Sequence, residues 1–181
     1  MKTIQLSKYK GAKFSGLVAL VDDEDYNRLN QYTWTAFKNC NNIYAKTVMV
    51  IADKKCHILM HREIMNCIKG DNIKIDHKNH NGLDCQKSNM RKASNSQNGA
   101  NRRATGLSKY LGVSRFKSIS KSTSKKTGIT KIWSKFYWGS SIRKDGKLRR
   151  IGSFKTEEDA ARAYNAVAKE VHGDFANLNI L

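Results

Sequence analysis

The chain has 181 residues, 39% apolar and 27% charged, a composition that suits one globular domain or two small ones and excludes a disordered chain. Its 34 Lys and Arg against 15 Asp and Glu leave a net charge of +19, which points to a polyanion as partner. No apolar run approaches the ~20 residues of a membrane span. The basic start at Met1 to Lys10 precedes no apolar segment, so no signal peptide and no membrane are expected, and the cytoplasm is the expected location.

The first ~70 residues read as mixed α and β. Leu17 to Val21 is a short apolar strand. Asp22-Asp23-Glu24-Asp25 then suits a solvated helix N-terminus, with Tyr26 and Leu29 on one helical face. Ile43 to Ile51 is rich in β-branched residues and fits a strand, and Ile58 to Met65 leads from a strand into a short helix. Asp71-Asn72 turns the chain, and Ile73-Lys74-Ile75 delivers Asp76 and His77 at a strand end. Asn79-His80-Asn81-Gly82 has the turn chemistry of a tight loop or hairpin tip, and residues 86–103 read as a helix or broken helix, polar throughout. The four cysteines at 40, 56, 67 and 85 contain no C-x-x-C pair, so reduced, mostly buried thiols are expected rather than zinc.

The best boundary is Arg102 to Ser108. From Arg102 to Lys155 sixteen Lys or Arg face one acid, Asp145, a net +15 of the total +19. A solvated face rarely concentrates like charge so heavily, and a nucleic-acid footprint explains it better. Three strand-like runs follow, Gly112 to Phe116, Phe136 to Arg143 and Leu148 to Phe154, the last two joined by an Asp145-Gly146 turn. Thr156-Glu157-Glu158-Asp159 resembles a capping box, and Ala160, Ala163, Tyr164, Val167, Ala168 and Val171 then recur at helical spacing. Period-two alternation sends Trp138, Ser140 and Ile142 toward that helix. It sends Tyr137, Gly139, Ser141 and Arg143 outward, with Ser114, Phe116 and Arg150 on the same outer face.

Two resemblances organise these segments. Ile75-Asp76-His77-Lys78-Asn79-His80-Asn81-Gly82-Leu83-Asp84, then Ser88-Asn89-Met90-Arg91, then Ser94 to Asn98, resembles the HNH nucleases. The similarity is to the phage and intron-encoded homing endonucleases in which the last His is an Asn. It implies a ββα-metal (His-Me finger) fold over residues 1–103, with a nuclease core of about 57–103. Residues 104–181 resemble the Apetala/ethylene-response-factor type of DNA-binding domain, a three-stranded antiparallel sheet packed on one helix. The residues that carry this are Tyr110-Leu111-Gly112-Val113, Trp138 to Arg143, Ile151-Gly152-Ser153-Phe154, Glu157 to Tyr164 and Phe175 to Asn179. A Ser/Lys insert at 118–131 departs from that pattern and is expected to be flexible. The fold class expected for the whole chain is α+β.

The first resemblance implies a site-specific DNA endonuclease, and the site chemistry follows from it. Asp76 and Asn98 would ligate one Mg2+ or Mn2+ ion, and His77 would act as general base on water. Asp76 and His77 point to opposite sides of a strand, which separates their roles. Asn89 would pin the loop or the imidazole. His77 is expected to keep the ordinary histidine pKa of ~6.5. His80 is the rival base, Asn95 and Asn101 are rivals to Asn98, and His61 has a packing or supporting role. Double-stranded DNA is the expected partner of a monomer, with no small-molecule cofactor, in a bacterial host cytoplasm if phage-encoded. Candidate DNA contacts are Arg91, Arg102, Arg103, Arg115, Phe116, Lys117, Tyr137, Ser141, Arg143 and Arg150. The competing classes are a non-catalytic DNA-binding regulator with a decayed HNH domain and an RNA-binding or structural phage protein.

Overall fold

In the computed structural model the chain starts with β1 (Lys2–Gln5), antiparallel to β2 (Val18–Val21). The structure describes residues 1–7, 16–51, 53–68 and 70–181. Helix α1 (Asp23–Leu29) follows, then β3 (Thr35–Asn39), β4 (Asn42–Ile51) and β5 (Lys54–Leu59) in a three-stranded antiparallel sheet ordered β3-β4-β5. The short helix α2 (Met60–Ile64) leads to the pair β6 (Lys74–His77) and β7 (Met90–Ala93), and then to α3 (Asn95–Ala100). Twelve of the described side chains, among them Ile4, Val21, Leu29, Trp34, Met60, Leu83, Cys85 and Met90, form one buried core here. Trp34 is 1% exposed, and its indole N–H donates to the Leu29 carbonyl at 2.8 Å, so its polar atom is satisfied inside the core.

Two compact units divide the described chain, Met1–Asn98 and Gly99–Leu181. The second is built from β8 (Val113–Thr123), β9 (Thr130–Lys144), β10 (Lys147–Phe154) and α4 (Glu157–His172). The sheet is antiparallel and ordered β10-β9-β8. Asp145 and Gly146, both at positive φ, close the β9–β10 hairpin, which is the turn that Asp-Gly favours. Thr156 caps α4 by accepting from the Asp159 N–H at 3.1 Å. Ala160, Ala161 and Ala168 are fully buried, so the helix lies close on Val113, Ile142 and Trp138. Gly112 has φ +74, and a Cβ there would stand 2.1 Å from the Tyr164 ring, so no other residue fits. The tail is tied back by Asn179, whose side chain accepts from Leu111 N–H at 2.6 Å and donates to Leu111 O at 3.1 Å.

Several expectations are corrected. Residues 86–103 are not one broken helix: β7 occupies 90–93, because pairing with β6 buries Met90 and Ala93. The insert at 118–131 is not a loose loop. The β8–β9 ladder runs on from Ser118↔Lys135 to Thr123↔Thr130, leaving 124–129 as the connection. Of the four free thiols only Cys85 is buried, while Cys56 and Cys67 are half-buried and Cys40 is exposed. Burial pushes the Cys85 thiol up to about 12.

Candidate active site and nucleic-acid interface

Asp76 and His77 end β6 and are 3% and 5% exposed. Directly across the pair, Asp76 faces Arg91 and His77 faces Met90. The Arg91 guanidinium holds Asp76 from Nε and Nη2, both at 2.7 Å to Oδ2. An ion pair this well enclosed depends on close geometry to offset desolvation, and two bonds to one oxygen supply it. Arg91, expected to touch phosphate, is therefore turned onto Asp76.

His77 sits among rings. Its centroid is 5.3 Å from that of His61 on α2, at 89°, and 5.9 Å from that of Tyr44 on β4. Tyr44 and His61 are 5.2 Å apart, which closes a triangle of three rings from three elements. His61 is 7% exposed, and burial, with His77 and Arg62 nearby, lowers its pKa to about 3. Burial thus favours its neutral form. Burial also lowers the His77 pKa, against the pull of Asp76 and Asp84 in the other direction. That corrects the expectation of an ordinary value. The ring cluster was the part of the site that the sequence hid, since Tyr44 lies more than thirty residues from His77 and no spacing connects them.

The segment between β6 and β7 is fastened on every side. Asn89 accepts from the Asn79 N–H at 3.1 Å and donates to the Asp84 carbonyl at 2.8 Å, so it pins the loop rather than the imidazole. Asn79 donates to Asp84 at 2.7 Å, and Asn42 donates to the His80 carbonyl at 3.1 Å. His80 takes a positive φ of 61 in this turn, and its N–H donates to the His77 carbonyl at 2.9 Å. Leu20 exchanges backbone bonds with Leu83 and Cys85 at 2.8 and 2.9 Å. The acidic run also serves the loop: Asp22 accepts from the Lys87 N–H at 2.8 Å, and Lys87 pairs with Glu24 and Asp25. Burial alone would raise the Asp25 carboxyl, but Arg28 and Lys87 outweigh it and hold it low. Asp22 and Asp25 thus anchor the loop, while Asp23 and Glu24 stand exposed in the first turn of α1, as expected of a solvated helix N-terminus.

Asn98 is exposed on α3, its N–H donating to Ser94 O at 2.9 Å. Asn95 opens the same helix, and Asn101 is buried in the second unit. Among the described residues no three His, Cys, Asp or Glu side chains gather as a metal cage.

In the second unit the face away from α4 carries Phe116 stacked on Tyr137 at 5.9 Å, with the Arg150 guanidinium 5.4 Å from the Phe116 ring. A Cβ on Gly139 would meet Phe116 and Ser114, which sets these residues on one face. Arg150 also donates to Ser153, and Arg143 donates to the Gly146 carbonyl at 2.7 Å within its own turn. Arg115 and Lys117 lie on the other face: Arg115 pairs across the ladder with Trp138 and lies 4.1 Å from the Phe136 ring. Arg102 and Arg103 line a cleft of about 180 Å³ together with Ser114 and Ser141. The structure therefore brings Arg102, Arg103, Ser114 and Ser141 together and separates Arg115 and Lys117 from Phe116.

Over 108 residues the chain is 36% identical to an uncharacterized HNH endonuclease of Acanthamoeba polyphaga mimivirus, a match that covers 59% of this chain. The chain spans about half the length of that relative, 47% of it. No protein-family model matches the chain, and no solved structure matches it.

Proposed function

We propose that this chain is a metal-dependent HNH-type DNA endonuclease of the homing kind, with a nuclease unit followed by an Apetala-type DNA-binding unit. The observation that carries the reading is the buried Asp76–His77 pair at the end of β6, opposite β7 and followed by α3. The succession β6, β7, α3 supports reading this unit as a ββα-metal fold. The likeness to a protein named an HNH endonuclease supports a nuclease function in general.

Asp76 and Asn98 offer oxygen donors, the type a hard divalent ion such as Mg2+ or Mn2+ takes, and one carboxylate with one carboxamide suits an ion shared with phosphate and water. These two residues would hold it. Bound there, the ion supplies Lewis-acid stabilisation of charge on the phosphate and the leaving oxygen. His77 accepts the proton of the attacking water, and a neutral imidazole is its working form. Because its pKa is lowered, His77 is in that form over a wider range below neutrality than an ordinary histidine. Arg91 fixes the Asp76 carboxylate, and Asn89 fixes the loop that follows His77. The basic sheet supplies affinity for the double-stranded substrate, and Arg150 and Arg143 are its candidate readers of guanine in the major groove.

His77→Ala tests the reading. Cleavage of the chain's own flanking genomic DNA with Mg2+ should fall by about 10²-fold or more, while DNA affinity stays within about twofold. Cleavage at the native rate by a folded His77→Ala protein would refute the assignment.

A further inference from the structure

The β8–β9 hairpin is longer than its helix can cover. Past the Phe116↔Tyr137 rung the ladder continues for seven rungs, Lys117↔Phe136 to Thr123↔Thr130, with both faces open to solvent. At ~3.4 Å per residue these rungs extend about 20 Å, the length of about six base pairs. Residues 117–136 hold six lysines and no acid. They also expose Trp133 at 47%, Phe136 at 54%, and Ile119 and Ile132 at about 60%. A two-stranded ribbon is marginal in water without a surface to lie on, and lysines spaced along it keep its edges from pairing with other strands.

The register tells which residues share a face. Ser118↔Lys135, Ser120↔Trp133 and Ser122↔Lys131 continue the face that bears Phe116 and Tyr137, while Ile119, Ile132 and Phe136 belong to the other. One side is thus small hydroxyls and ammonium groups around a single indole. This is the donor-rich, acid-free composition that phosphate oxygens accept, with one flat ring for a base or sugar. A two-stranded ribbon also has the width that the major groove admits.

We propose that this ribbon is a second DNA-contacting arm, which lays its Ser118, Ser120, Lys131, Trp133 and Lys135 face along the duplex adjoining the stretch bound by the sheet. The inference rests on the reading of the second unit as a DNA-binding unit. Its consequence is a footprint longer by about half a helical turn and an affinity that depends on duplex length.

The test compares the full chain with a variant in which residues 118–135 are replaced by Asn-Gly, a turn that can close the remaining Lys117↔Phe136 rung. Affinities are measured on duplexes of about one and two helical turns. The full chain should bind the longer duplex at least about tenfold more tightly, and the shortened variant should lose that gain and show a salt slope smaller by about two or more. Trp133→Phe keeps the ribbon intact and isolates the indole: a DNA-induced change in emission should vanish with it, since Trp34 is buried and Trp138 half-buried. Equal length dependence in full chain and shortened variant, or an emission change that survives Trp133→Phe, overturns the inference and leaves DNA binding by the sheet standing. Failure of the full chain to bind any duplex overturns the functional reading itself. A full chain that is dimeric without DNA while the shortened variant is monomeric makes the ribbon a self-association arm and likewise overturns the inference.

Discussion

His61 is buried neutral, and that has a sign in the stability. An unfolded histidine takes a proton below pH ~6.5, whereas folded His61 does so only at about 3. Its contribution is fully present above pH ~6.5 and is lost as pH falls toward the folded value, by ~1.4 kcal/mol per pH unit. The lowered values of His77 and His172 act in the same direction. Urea unfolding should therefore show lower stability at pH 5 than at pH 7, and His61→Phe should flatten part of that slope. An identical slope in the two proteins would contradict the burial argument. Arg91 supplies a second test at this scale. Its loss strands the Asp76 carboxylate without its guanidinium, so Arg91→Met should cost ~3–5 kcal/mol, measured by urea unfolding. Asp76→Asn combined with Arg91→Met should recover part of it, because no charge is then left buried. A cost under ~1 kcal/mol would mean that the pair is solvated in solution and that Arg91 remains available to phosphate.

At the scale of elements, the site depends on how closely the β6–β7 loop lies on β4. A Cβ on Gly82 would stand 2.5 Å from the Ile43 carbonyl and 2.7 Å from the Tyr44 ring. Gly82→Ala must therefore push Tyr44, and Tyr44 packs on both His61 and His77. We expect ~1–3 kcal/mol of lost stability and a fall in cleavage rate with DNA affinity unchanged; native stability and native rate together would show that the site does not depend on this close approach. This dependence was not legible in the sequence, where Gly82 reads only as a turn residue. What was legible is what local pattern encodes: α4 from its Thr156 cap and alanine spacing, the β9–β10 turn from Asp145-Gly146, β4 from its β-branched run. β1, β3 and β7 escaped because their polarity gives no alternation, and only pairing with β2, β4 and β6 makes them strands. The same cause hid the ribbon: Ser and Lys read as a loose insert until eleven rungs are seen to join β8 to β9.

At the scale of the whole molecule, charge is divided as the proposed roles are. Met1–Asn98 carries 16 Lys and Arg against 9 acids, a net +7, and Gly99–Leu181 carries 18 against 6, a net +12. Every acid of the second unit except Asp145 lies on α4 or beyond it, so the strands are almost purely cationic. Each unit has its own buried core, which makes separation a fair test. The fragment Gly99–Leu181 should bind duplex DNA without cutting it. Its affinity should fall steeply from about 50 to 200 mM salt, by about 10³-fold if six phosphates are neutralised. A fragment ending at Arg103 keeps α3 whole with Asp76, His77, Asn89 and Asn98, and should retain weak, metal-dependent cleavage with little preference among sequences. Substituting Arg150, which the Phe116 ring and Ser153 orient, should separate reading from holding. If it meets a guanine edge, Arg150→Ala costs about 1–3 kcal/mol at the preferred site and relaxes one base pair of preference, whereas Lys131→Gln weakens all sequences alike. Binding to a cognate and a scrambled duplex decides between them, and an unchanged specificity ratio for Arg150→Ala would remove the outer face of the sheet from sequence recognition.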